Sequence, residues 1–183
     1  KSLLTEDIHT VNQKSAGLDN RDKAKTFIYA FLYGAGDGKI GSIVGGSVAE
    51  GKELKENFLN NTPALRILRE RVGRASEKGY LKALDGRHII VRSEHASLNF
   101  LLQSAGAIIS KRAWVIFHEL ATHLDYKQLG VIHDEIQIEC SPDDAEDIGK
   151  LAVKAMELTT DYYKLNCPIT GEYKIGRSWN DTH

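Results

Sequence analysis

Apolar residues recur at helical spacing from Ala96 to about Leu124, which predicts one long buried helix. Beyond it, two apolar-rich runs, beginning at Gln128 and ending at Cys140, flank a polar knot, His133-Asp134-Glu135, and predict two strands around a turn. Asp85-Gly86 divides another pair of apolar runs and predicts a β-hairpin near residues 80–92. Upstream the pattern is helical. Asp19 or Asn20 is placed to cap a helix whose body is Arg21–Tyr33. A second helix spans about Ser47–Asn60, and Thr62-Pro63 opens a third that runs to about Glu77. Ser141-Pro142 opens the last long helix, over about residues 143–163. Five glycines fall within positions 36–47, which reads as a loop with helical fragments. Residues 1–18 read as an approach segment broken at Gly17, and the tail from Asn166 to His183 as mixed, with Trp179 as its anchor.

Composition narrows the class. The 183 residues, 42% hydrophobic and 27% charged, are enough for a globular domain with a real core and exclude a disordered chain. The formal net charge of -1 does not by itself mark a nucleic-acid binder, so any such site must come from local clustering. Cys140 and Cys167 fit no metal spacing and read as reduced thiols of a cytoplasmic protein. No apolar run approaches ~18 residues, so no membrane span is expected. The residues before Asp7 lack the apolar core of a signal peptide.

Three constellations carry chemistry. Arg21, Lys25, Tyr29 and Tyr33 are spaced by four, and such a row drifts only about 40° per step on a helix. Two cations followed by two aromatics on one stripe suit a nucleotide, with phosphates at the cationic end near the helix N-terminus and a sugar or base against the rings. The same stripe is also compatible with a solvated cationic face and inward tyrosines. The adjacent acids Asp134 and Glu135 lie between apolar strands, where burial is costly unless a cation such as Mg²⁺ balances them; an exposed turn is the plainer alternative. Finally, His95, Asn99 and Gln103 form a polar row, preceded by Arg92, that could read the groove edge of a duplex or form a capping turn and buried network.

In this order, the three pieces resemble family A DNA polymerases, most closely the branch of short-tailed, T-odd-type bacteriophages. Arg21-x3-Lys25-x3-Tyr29-x3-Tyr33-Gly34 looks like motif B, on the fingers helix that grips the incoming dNTP. Asp7-Ile-His9-Thr-x-Asn12 matches the phage lead-in, His133-Asp134-Glu135 looks like motif C, and Arg92-x2-His95-x3-Asn99-x3-Gln103 matches the primer–template helix. The closing Trp179…His183 also resembles the phage polymerases' C-terminal end.

The resemblance implies an α+β fold, with mostly helical fingers over residues 1–92 and the second half of the palm, with a small antiparallel hairpin carrying His-Asp-Glu, over 93–183. It implies that His9, Arg21, Lys25 and Tyr29 bind the nucleotide, with Lys25 also the acid that protonates pyrophosphate. It places Tyr33, Arg92, His95, Asn99, Gln103 and His133 on DNA, and Asp134 on metal with the catalytic Glu135 nearby. It implies template-directed dNTP addition to a primer 3′-end with two Mg²⁺ ions, in the cytoplasm of a phage-infected bacterial cell.

The family's motif A, a strand bearing another metal-binding aspartate, should lie upstream of Asp7, and the chain starts too late to include it. The thumb and exonuclease are also missing. The expectation is that the isolated chain does not polymerise DNA and needs motif A from an upstream segment or partner chain. The competing readings are a non-catalytic DNA- or nucleotide-binding module and an unrelated α/β protein with a chance motif B.

Overall fold

The computed structural model describes residues 7–132 and 134–182; His133, His183 and the first six residues lie outside the described residues. The first described segment is a helix, where the sequence predicted only an approach segment. In α1 (Ile8–Ala16), the Asp7 side chain caps the start and Gly17, at φ 69°, ends it in the left-handed conformation, its N–H donating to the Gln13 and Lys14 carbonyls. The short helix has a weak apolar pattern of its own. It is held from outside: its Ala16 joins the core below, and Asn61 Nδ2 donates to the Ser15 carbonyl at 2.9 Å.

In α2 (Arg21–Leu32), the Asn20 side chain accepts from the Asp22 and Lys23 amides. Ala24, Phe27, Ile28 and Phe31 form its buried stripe at the i, i+3, i+4, i+7 spacing of one helix face. Within the glycine-rich stretch, α3 (Asp37–Ile43) is the expected helical fragment, flanked by irregular and turn residues. Its glycines have a packing reason. A Cβ at Gly51 of α4 (Val48–Asn61) would strike the Asp37 carbonyl and the Gly41 backbone, so the two helices cross at backbone distance. Ser47 and Glu50 cap α4 reciprocally, and Pro63 stands in the first turn of α5 (Pro63–Ser76) as predicted.

Phe58 meets the rings of Phe27 and Phe31 edge-on, with centroids 5.3 and 5.4 Å apart. Leu54, Leu59 and Ile40 complete this core. Burying each such phenylalanine contributes about 1.5–3 kcal/mol. The hairpin β1 (Tyr80–Lys82) and β2 (His88–Ile90) is antiparallel. Gly86 takes φ 88° in its turn, while the Gly86 amide donates to Ala83 O and the Ala83 amide to Arg87 O.

A 3₁₀ turn, Glu94–Ala96, leads into α6 (Ser97–Leu120). The helix is long, as predicted, but not buried all round: Leu98, Ile108, Ala113 and Phe117 are buried, whereas Leu102 and Val115 are exposed. The chain divides into two compact units, residues 1–103 and 104–183, the division falling within α6.

In the second unit, β3 (Tyr126–Ile132) and β4 (Glu135–Cys140) pair antiparallel, with an irregularity between Gln128 and Gly130. Tyr126, Ile138 and Cys140 pack against a core of Phe117, Ala121, Ile148 and Ala155 shared with α7 (Ala145–Tyr163). Ser141 does not cap α7. Its Oγ accepts from the Asp143 amide in a preceding turn, and Asp144 occupies the cap position without a side-chain bond. The tail ends in α8 (Trp179–Thr182). The described fold is α+β, dominated by helices, with two small antiparallel hairpins. No helix among the described residues is long and apolar enough to cross a membrane.

Candidate functional site

The buried stripe of α2 decides what its opposite face presents. With Phe27, Ile28 and Phe31 turned into the core, Arg21, Lys25, Tyr29 and Tyr33 are all exposed in one row. Tyr29 and Tyr33 are 47% and 53% exposed, large fractions for aromatic side chains, and their rings lie near-parallel at 6.4 Å. The His9 ring of α1 also approaches Tyr29, tilted by 47° at 6.3 Å. Its Nδ1 is buried without a hydrogen-bond partner among the described residues.

The two cations differ. Among the described residues Lys25 has no ion-pair partner. Arg21 is paired with Asp7, its Nε donating to Oδ2 at 2.8 Å and its Nη2 to Oδ1 at 3.1 Å. The guanidinium, with help from Thr10, holds the Asp7 carboxyl far below the usual carboxylate range, and the pairing raises Arg21 in turn. Sequence reasoning treated Asp7 only as part of a lead-in match. Its pairing joins positions 14 apart on different helices, for which no local signal exists.

Gly34 brings this helix against the start of α6. It stands at φ 79°, and a Cβ there would collide with the His95 carbonyl, so the backbones touch where only glycine fits. Beside this approach, Gln103 Nε2 donates to Tyr33 OH at 3.4 Å, a long bond. The predicted polar row is split by this geometry. His95 sits in the 3₁₀ turn and Asn99 and Gln103 on α6, because Ser93 is extended and the α-helix starts only at Ser97. Arg92, His95 and Gln103 are exposed and Asn99 half-buried. His9, Arg21, Lys25, Tyr29, Tyr33, Arg92, His95, Asn99 and Gln103 therefore belong to the first unit.

Asp134 and Glu135 belong to the second. Asp134 is exposed in the turn, and Glu135 opens β4 opposite Ile132. Glu135 Oε1 accepts from Trp179 Nε1 at 3.1 Å and also from Gln137 Nε2. Trp179 thus ties the tail to the hairpin by a polar bond, remaining 51% exposed, rather than as a packed anchor. These carboxylate oxygens suit Mg²⁺ in kind. They fall short in number: among the described residues no three His, Cys, Asp or Glu side chains gather as a ligand set. Cys140 and Cys167 are free, and burial pushes the Cys140 thiol up.

The sequence profile of DNA polymerase family A matches residues 2–181. The DNA-directed DNA polymerases of Enterobacteria phage T3 and Escherichia phage T7 are each 42% identical to this chain over 206 aligned residues, covering 99% of it and 29% of their own length. That of Escherichia phage Phieco32 is 40% identical over 190 residues, covering 99% of this chain and 31% of its own. The chain thus spans about a third or less of the length of these relatives. Among solved structures, the POL domain of Pol1 from M. smegmatis, in complex with DNA primer–template and dNTP, superposes with a TM-score of 0.76. At 22% identity, over 85% of this chain and 32% of that one, this likeness shows the shared fold. A match along almost the whole chain, together with phage relatives at this identity, establishes that the protein belongs to family A of the DNA polymerases, with its similarity extending to the T7 type.

Proposed function

We propose that this chain forms the fingers and the second half of the palm of a phage-type DNA-directed DNA polymerase, which adds dNTPs to a primer 3′-end under template direction. The observation that carries the reading is the two-faced α2: its core stripe holds the helix while Arg21, Lys25, Tyr29 and Tyr33 stand exposed in one row. In this reading residues 1–92 are the fingers and 93–183 the palm half.

Arg21 and Lys25, with His9, bind the triphosphate at the N-terminal end of α2, where the helix dipole also favours anions. Lys25, unpaired among the described residues, is placed in this reading to give a proton to the leaving pyrophosphate. Tyr29 lies against the sugar and Tyr33 against the templating pair. Arg92, His95, Asn99, Gln103 and His133 contact the primer–template. Asp134 holds Mg²⁺, and Glu135, oriented by Trp179 and Gln137, stands beside it. Two such ions, when bound, would supply charge neutralisation for phosphoryl transfer.

The hairpin's shortage of ligands supports the second part of the proposal. Motif A, from an upstream segment or a partner chain, completes the metal site, and the chain without it is inactive. Primer extension with and without a motif A segment tests both parts. The expected result is no extension by the chain alone and extension by the complemented assembly. Extension by the chain alone would overturn the inactivity. A well-folded complemented assembly that binds DNA but does not extend it, with binding that survives Asp134→Asn, would point instead to a non-catalytic binding module.

A further inference from the structure

Asp7 and Arg21 meet in a side-on fork. Arginine carries five N–H donors, and the fork uses only two of them, the Nε–H and one Nη2–H. Three remain, and two of them, one on each Nη, point along the Nη1–Nη2 edge, away from the carboxylate. That edge matches two oxygens of a phosphate as well as the first edge matches a carboxylate. Asp7 is itself immobilised, because its Oδ2 also accepts from the Thr10 amide at 3.1 Å and from Thr10 Oγ1 at 2.7 Å while capping α1. The guanidinium is therefore held by a carboxylate that a helix N-terminus holds in turn. An exposed arginine otherwise loses its rotamer freedom only when ligand binds, and a prior clamp removes that loss from the binding step.

We propose that Asp7 is a positioning residue for nucleotide binding: it grips the Nε edge of Arg21 so that the Nη edge is presented to the phosphates of the incoming nucleoside triphosphate. This rests on reading the α2 stripe as the nucleotide site. The charge of Asp7 lies on the far edge of the guanidinium from the phosphates it serves, and the pair is exposed to solvent, which screens its repulsion.

The experiment separates the two jobs of Asp7. Serine and asparagine are good N-caps, so Asp7→Ser and Asp7→Asn keep the cap of α1 and break the charged fork, whereas Asp7→Ala loses both. In the polymerase completed by a motif A segment, Asp7→Ser and Asp7→Asn are expected to raise the KM for dNTP about tenfold with kcat within about twofold, and to melt close to the unsubstituted protein. Arg21→Ala is expected to raise KM further, and Asp7→Ser added to Arg21→Ala to change nothing more. An unchanged KM in Asp7→Ser, or an additional rise when it is combined with Arg21→Ala, overturns the positioning role while leaving the nucleotide site intact. An unchanged KM in Arg21→Ala overturns both, and tells them apart because it leaves Asp7 in place.

Discussion

Arg21 and Lys25 stand one helical turn apart on the same face of α2, yet only Arg21 has an acidic partner among the described residues. An exposed lysine without a partner keeps its three donors for a ligand. Lys25→Ala is accordingly expected to slow single-turnover incorporation in the completed polymerase by about 10²-fold or more, the size of a lost general acid. A rate close to normal removes Lys25 from the phosphate role. Tyr29 has ring contacts with both His9 and Tyr33. Tyr29→Phe keeps that stacking and deletes only the hydroxyl, so it is expected to lower acceptance of dideoxynucleotides relative to dNTPs in a competition assay. Unchanged discrimination assigns the hydroxyl no part in it. The row was visible in the spacing of four residue types. The clamp on Arg21 was not, because Asp7 reaches it only after two helices have packed.

Helices here meet where glycines leave room. Gly34→Ala would force a side chain into the His95 carbonyl at a left-handed φ, so it is expected to destabilise the first unit by about 1–3 kcal/mol in denaturant melts and to weaken DNA binding through the displaced start of α6. The tail shows the same device. The Tyr173 ring rests on Gly149 of α7, and its hydroxyl donates to Glu146 at 2.6 Å. That bond holds the Glu146 carboxyl below its ordinary 4.5 and raises the Tyr173 phenol above its ordinary 10.0. The signs follow from linkage. The Glu146 contribution is present above 4.5 and lost as pH falls through the lowered value; the Tyr173 contribution is complete below 10.0 and lost as pH rises through the raised one. The amide protection factors of residues 166–178, taken relative to the intrinsic exchange rate at each pH, are therefore expected to be highest between those limits and lower beyond either. Tyr173→Phe should flatten that profile. Both groups are exposed, so screening keeps the effect small. Of the elements, α2, α4, α5, β3 and β4 were legible from caps and apolar spacing. α3 was legible only as a helical fragment, and α1 not at all, because their glycine-rich and polar sequences carry little apolar periodicity of their own.

At the scale of the molecule, a net charge of -1 coexists with membership of a DNA polymerase family. The β3–β4 sheet has two strands among the described residues, so its outer edges carry unpaired backbone groups. Together with exposed Leu129 and Val131 on β3, this predicts concentration-dependent self-association of the chain by sedimentation, reduced when a motif A segment is added. Association unaffected by that segment would place the sticky surface elsewhere.

By itself the sequence determined the family, the α+β class, the row of four residues on the α2 helix and the hairpin that carries Asp134, since each rests on spacing within one element or on an ordered set of motifs. The tertiary structure decided the rest: that Asp7 clamps Arg21, that Gly34 meets the His95 backbone, that Glu135 is held by Trp179, that Tyr29 and Tyr33 face outward, and that Ile8–Ala16 is helical. Those contacts join residues distant in sequence, whose side chains have no periodic relation. Only the packing of one element on another brings them within reach.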